Sequence, residues 1–341
     1  MTPVTSSVTV ILPVRNEVLH IGRALASVQS AAEGITDLEI LVIDGMSDDD
    51  TREVIERLMA EDPRIRLIDN PHRTVPQAMN IGIRAARGEV ILRIDGHAEL
   101  FPDTIRRAVA ELAAHPECAC VGGLIETVSE NSRADAIANA MSSAFGVGNA
   151  RFRTGGSDGY VDTVAFGAYR AADLHAIGLF DEALTRNEDD ELNYRLVRAG
   201  RKIWFSNKIR SRYYVRSSFG KLYRQYFQYG YWKVYVNRKH GSITSLRQVV
   251  PPLFVGTVSL LVLFMPIVAL ARLSLTGVLS VYLLAASLFS LRTGAEPRRV
   301  LFSIAAFITL HTGYGIGYWA GVRDFAVLRR QPVPSSVRLT R

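Results

Sequence analysis

The chain has 341 residues, enough for one large domain or two small ones, and its formal charge of +7 hides a sharp division. Residues 1–200 hold 19 Arg and no Lys against 31 acidic residues, whereas residues 201–341 hold 21 basic residues against only Glu296 and Asp324, so the two parts carry −12 and +19. Such asymmetry points to a membrane surface or nucleic acid as partner of the second part, and the hydrophobic runs there decide for membrane and against nucleic acid. Cys118 and Cys120 stand alone in an apolar Cys-Ala-Cys-Val run, without a second Cys pair or His-x-x-x-His to complete a zinc site, and read as buried free thiols. No basic stretch followed by an apolar core opens the chain, so the first part is expected in the cytoplasm.

Taken in order, apolar runs alternate with helical patterns. Strands are predicted over residues 8–14, 38–43, 65–68, 89–94 and 118–122, with helices after the first two carrying Ile21, Leu25, Val28 and Val54, Ile55, Leu58, then over 75–86 and 102–114. Strands apolar throughout and alternating with helices imply an α/β fold with a mostly parallel sheet covered on both faces. Polar segments at Pro13-Val-Arg-Asn-Glu17, Asp44-Gly-Met-Ser-Asp-Asp-Asp-Thr51 and Asp95-Gly-His-Ala-Glu99 then share the rim where such sheets bind ligands. No Gly-x-Gly-x-x-Gly follows the first strand, which disfavours an ordinary dinucleotide fold. Residues 155–159 read as a loop, 161–168 as a strand and 171–177 as a short helix. A helix over 189–199 opens with four consecutive acids, Glu188 to Glu191, and ends at Gly200.

Residues 201–250 contain 12 Lys and Arg and no acid. Helical spacing there places Phe219, Tyr223, Tyr226 and Phe227 opposite Lys221 and Arg224, the pattern of a helix lying in a headgroup layer. Residues 253–271 and 273–291 are each long enough to cross a bilayer, with Arg272 in the turn between them, and 300–322 is a third such segment carrying His311 and the glycines 313, 315, 317 and 321. A third crossing would put the basic tail 323–341 on the opposite side from Arg292, Arg298 and Arg299, so either this segment is re-entrant or the positive-inside rule is broken.

The stretches Val10-Ile-Leu-Pro-Val-Arg-Asn-Glu17, Ile43-Asp-Gly-Met-Ser-Asp-Asp-Asp-Thr51, Ala78-Met-Asn-Ile-Gly-Ile-Arg-Ala-Ala-Arg-Gly88, Arg93-Ile-Asp-Gly-His-Ala98, Phe166-Gly-Ala-Tyr-Arg170 and Asn187-Glu-Asp-Asp-Glu-Leu192 resemble, in order and spacing, the family-2 glycosyltransferases. The likeness covers residues 8 to about 235 and is greatest to membrane-associated enzymes of exopolysaccharide assembly. It implies a GT-A nucleotide-sugar domain over 1–215, an interfacial region over 216–250, two or three spanning helices over 251–322 and a basic tail over 323–341.

Residue by residue, the resemblance implies donor contacts from Pro13, Arg15, Asn16, Glu17 and Asp44, with Arg73 and Asn80 as further ones. Asp95 and His97 correspond to the family's Asp-x-Asp, which holds Mg²⁺ or Mn²⁺ on the diphosphate. His97 replaces the usual second Asp, and an imidazole leans toward Mn²⁺; Glu99 is an alternative ligand. Asp189 corresponds to the catalytic base, crowded by Glu188, Asp190 and Glu191, and Glu188, Gln228 and Trp232 to the acceptor side. The implied activity is inverting transfer of a hexose, glucose foremost, from a UDP-sugar to a polyprenyl-diphosphate-linked saccharide at the cytoplasmic face of the inner membrane. Processive synthases carry Gln-x-x-Arg-Trp where this chain has Gln228-Tyr-Gly-Tyr-Trp232, which argues against processivity. An inactive nucleotide-sugar-binding scaffold is the alternative from another class.

Overall fold

The computed structural model describes residues 6–129, 132–215, 218–292 and 296–332. The chain runs β1 (Val8–Val14), α1 (Ile21–Ala31), β2 (Leu38–Asp44), α2 (Thr51–Glu61), β3 (Ile65–Asp69), α3 (Val75–Ala85), β4 (Val90–Arg93), β5 (Ala98–Leu100), α4 (Thr104–Ala114) and β6 (Cys118–Val128). It continues through α5 (Ser132–Ser142), α6 (Ala144–Val147), α7 (Arg151–Thr154), β7 (Gly159–Tyr160), β8 (Ala168–Arg170), α8 (Ala171–Ala176), α9 (Glu188–Arg198) and β9 (Lys202–Tyr214). Four long helices follow: α10 (Phe219–His240), α11 (Val250–Phe264), α12 (Ala269–Leu291) and α13 (Pro297–Gly321). Two compact units result, one of residues up to Glu126 with Gly155–Tyr214, the other of Thr127–Thr154 with the chain from Val215 onward.

In the first unit β1 and β2 are buried at every position, as strands covered on both faces must be. The sheet order is β3-β2-β1-β4-β8-β6-β9-β5, with β7 pairing β9. Its first half, β3-β2-β1-β4, is parallel; β8 then runs antiparallel to β4 and β6 antiparallel to β8, so the sheet is mixed. Ile11, Leu41, Ile43, Met79, Ile83, Ile91, Tyr169, Leu192 and Leu196 share one core cluster, which ties α3 and α9 to the sheet. Both cysteines lie free and buried in β6.

Three features depart from the sequence reading. Residues 161–167 are not a strand: Asn193 donates to Thr163 Oγ1 at 2.8 Å and to the Val164 carbonyl at 3.2 Å, so a side chain replaces the ladder, and Phe166 is left-handed at φ 52°. Residues 202–214, read only as basic and aromatic, form the longest strand, β9, with Ile203, Phe205, Ile209, Ser211 and Tyr213 buried. The helices α5 to α7 fall where no element was predicted.

In the second unit α11 ends at Phe264, two residues before Pro266, which has no N–H to continue the helix. Arg272 therefore lies within the first turn of α12, not in the connection. The glycines of α13 divide between two partners: a Cβ at Gly317 would strike the Phe227 carbonyl and one at Gly315 would meet Val255 and the Pro251 carbonyl. The aromatic face expected to lie open on a headgroup layer is thus packed, α10 running along α13. Three stretches, Leu246–Phe264, Ala269–Leu291 and Pro297–Val327, are long and apolar enough to cross a membrane.

Candidate active site

Strand register brings the predicted acids to one rim of the first unit, with Val14 beside Asp44, Asp44 beside Asp69 and Ile11 beside Arg93. Asp44 is fully buried and cannot stay unpaired there. It accepts from Ser47 Oγ at 2.5 Å and from Arg52 Nη1 at 2.8 Å, and the same nitrogen reaches Asp69 Oδ1 at 2.7 Å. Asn16, left-handed at φ 55°, donates its backbone N–H to Ser47 Oγ and its amide to Asp48 Oδ1, while the Glu17 N–H donates to Thr51 Oγ1. The β1 and β2 loops are thereby clipped together. Pro13 lies within β1 opposite Ile43, Arg15 is half-buried, and Arg73 is exposed and left-handed in the turn before α3.

The second cluster forms around Arg93, the last residue of β4. Its side chain is 5% exposed and donates from Nη1 to Asp189 Oδ1 at 2.5 Å, and from Nη2 to Asp95 Oδ1 and Glu188 Oε1, each at 3.1 Å. One guanidinium thus faces three carboxylates, two of them from the first turn of α9, where the helix dipole favours negative charge. Burial raises the Asp189 carboxyl; Arg93 opposes, Glu188 and Asp95 repel the charge further, and the balance pushes it up to about 7. For Asp95 burial is outweighed by Arg93, then His97 and Arg186, which hold it below the usual carboxylate range. Asp189 keeps 21% of its side chain exposed, enough to meet an incoming group.

The Asp95-Gly-His97 loop lies against the end of β1, where a Cβ on Gly96 would sit 2.8 Å from Val14 Cγ1. His97 Nδ1 is 3.0 Å from Glu17 Oε1, and its ring meets Tyr213 edge-on. Among the described residues no group of three or more His, Cys, Asp or Glu is arranged to hold a metal. An ionised carboxylate and an imidazole two residues apart still suit a divalent cation completed by diphosphate oxygens and water. Glu99, the alternative ligand, accepts on β5 from Tyr214 and faces Arg23.

The expectations divide accordingly. Asp44, Asn16 and Glu17 come together, as do Asp95, Glu188 and Asp189. Asn80 does not join them: both of its amide hydrogens go to the Phe180 carbonyl and Glu182 Oε1, and its oxygen accepts from the Phe180 N–H, so it clamps the segment before α9 and has no donor left for a ligand. The acid run does not crowd Asp189 as a block, because Glu191 is fully buried against Arg195, at 2.9 Å. Gln228 and Trp232 are buried in the second unit, on α10. Arg93 and Arg52 received no role from sequence; the signal was there, in an arginine ending an otherwise apolar strand.

Residues 9–176 match the family profile described as Glycosyl transferase family 2. The chain is 30% identical over 329 residues to the succinoglycan biosynthesis protein ExoA of Rhizobium meliloti (strain 1021), covering 94% of this chain and 96% of that one. It is also 30% identical over 239 residues to a dolichyl N-acetyl-alpha-D-glucosaminyl phosphate 3-beta-D-2,3-diacetamido-2,3-dideoxy-beta-D-glucuronosyltransferase of Methanococcus voltae, covering 68% of this chain and 74% of that protein. In fold it is similar to the mannosyltransferase PcManGT of Pyrobaculum calidifontis, solved with GDP-Man and Mn²⁺, at a TM-score of 0.64 and 18% identity over 91% of this chain and 87% of that one. With the rim geometry and a relative matched along nearly its whole length, the chain belongs to glycosyltransferase family 2.

Proposed function

We propose that the chain transfers a hexose, glucose foremost, with inversion, from a UDP-sugar to a polyprenyl-diphosphate-linked saccharide at the cytoplasmic face of the bacterial inner membrane, in exopolysaccharide or cell-surface glycan assembly. The observation that carries this reading is Asp189, set at a helix start against Arg93, Asp95 and Glu188, partly open and pushed up to about 7. A base poised near neutrality takes the acceptor hydroxyl's proton as that oxygen bonds to the anomeric carbon and the diphosphate oxygen departs with the bonding electrons. Arg93 holds the carboxylate in place and keeps it from carrying the proton permanently. Asp95 and His97 would hold a divalent cation, Mn²⁺ in preference to Mg²⁺, which when bound neutralises charge on the leaving diphosphate.

The clipped loops after β1 and β2, held by the buried Asp44 and by Arg52, form the wall for the nucleoside. The lipid-linked acceptor is supported by the dolichyl-phosphate acceptor in the name of the archaeal relative and by the apolar helices of the second unit. Membranes containing the protein, incubated with labelled nucleotide sugars and lipid extract, should pass label into the lipid phase from one donor. The Asp189→Asn variant should pass about 10²–10⁴-fold less while still binding that donor; transfer by the variant at the parental rate would sink the assignment.

A further inference from the structure

Three helices of the second unit are long and apolar enough to cross a membrane, yet they do not share one environment. Only 6% of the first apolar stretch and 11% of the second are buried, against 50% of the third. The third is α13, and its contacts fix where it lies. The hairpin α11–α12 turns at residues 265–268, and Phe254 stacks on Tyr282 with ring centres 4.7 Å apart, so these two residues mark one depth. Trp319 Nε1 of α13 donates to the Pro252 carbonyl at 2.9 Å, and His311 Nδ1 pairs with the Tyr282 hydroxyl at 2.9 Å. Trp319 is about 33 Å along the helix axis from Pro297, more than the roughly 30 Å of a hydrocarbon core. A crossing helix would therefore bring Trp319 beside Phe264 at the far end of α11, but it sits at the first turn.

The packing of α10 agrees. Gly313, Gly317 and Gly321 of α13 meet Tyr223, Phe227 and Tyr231 of α10 in constant register, so the two helices run parallel. Whatever α13 crosses, α10 must cross too, carrying the cations Arg224 and Lys233 and the amides Gln225 and Gln228 into hydrocarbon, where each is costly. On its remaining side α13 exposes Leu301, Ile308, Ile316 and Trp319 in one stripe at helical spacing. That is the pattern of a helix in the plane of the interface.

We propose that only α11 and α12 insert, as a hairpin, while α13 lies along the membrane surface on the side from which α11 enters, so that the chain beyond it emerges on that same side. Arg292, Arg298 and Arg299 then share a side with Arg323, Arg329 and Arg330, and the charge rule that a third crossing would break is kept. The inference stands apart from the identity of donor and acceptor.

The test uses the full-length protein in sealed spheroplasts and a membrane-impermeant maleimide. Single cysteines are introduced by Ser242→Cys, just after α10, and Gln331→Cys, beyond α13; both positions are exposed, and the two native cysteines are buried. Both new thiols are expected to resist labelling in sealed cells and to react once the membrane is opened. Labelling of Gln331→Cys in sealed cells, whether Ser242→Cys is labelled with it or stays protected, would overturn the proposal. Tryptophan fluorescence with brominated lipids gives a second reading on the chain retaining only Trp319: quenching by labels near the headgroup is expected, and stronger quenching by labels at the bilayer centre would contradict it.

Discussion

Two arginine–carboxylate clusters lie on the same sheet rim, and they differ in water and in stoichiometry. Arg52 is 35% exposed and serves two acids, Asp44 and Asp69; Arg93 is 5% exposed and serves three, Asp95, Glu188 and Asp189. Solvent screens the first, leaving an arginine held charged by Asp69 and Asp44 and two loops held in place. In the second, that screening is gone: burial, opposed by Arg93 and reinforced by the charges of Glu188 and Asp95, drives Asp189 toward its neutral form. A salt bridge on a rim is architecture until it is dried and overfilled with one sign; then it becomes a proton acceptor.

That contrast can be broken at several points. Arg93→Ala should have the largest effect, leaving three carboxylates around an empty site: about 3–5 kcal/mol of stability lost by the cost typical of a broken buried pair, with transfer abolished. Urea unfolding of the detergent-solubilised protein beside the transfer assay checks both. Asp189→Asn should lower transfer about 10²–10⁴-fold with donor affinity kept. It should also raise the unfolding temperature relative to the parent at pH 8. The sign follows from the raised carboxyl: its penalty is absent below the unfolded value of about 4, grows as pH rises, and is complete above about 7, so a neutral amide escapes it.

Glu191→Gln, two residues on, should do the reverse, weakening the buried link to Arg195 at a cost of about 1–3 kcal/mol while leaving the transfer rate of folded enzyme unchanged. Arg52→Gln should have the smallest effect, a stability loss of about 1 kcal/mol and a raised KM for the donor at unchanged kcat. If Arg52 and Arg93 variants behaved alike, the distinction between the two clusters would fail.

How much of this was legible beforehand follows from range. The apolar runs of β1, β2 and β4 and the acids after them are local patterns, so the parallel half-sheet and the rim positions of Asp44 and Asp95 could be read directly, whereas Asp189 was singled out by the family resemblance. The strand β9 is harder to read, because its lysines, arginines and tyrosines also fit a membrane surface and its buried positions do not alternate strictly. What no local pattern carries is the choice of partner across the fold. Asn80 looked like a donor contact and is spent on Phe180, 100 residues away in sequence; Glu188 and Asp189 pair with Arg93, while Glu191 on the same helix pairs with Arg195. The topology of α13 was undecidable from hydropathy, because an interfacial helix packed on two sides and a crossing helix are equally apolar; Trp319 beside Pro252 separates them.

The central claim is that Asp189 is a base whose proton affinity is raised by burial and raised further by its carboxylate neighbours. Its most direct test is the pH dependence of kcat/KM for the parent and for Glu188→Gln, with donor and lipid acceptor held constant. The account predicts a parental rate that rises with pH through an apparent value of about 7, as Asp189 loses its proton, and a rise displaced to lower pH in the variant, where one repelling charge is gone. A parental profile flat between pH 5 and 9, or a variant profile that does not move, would contradict it.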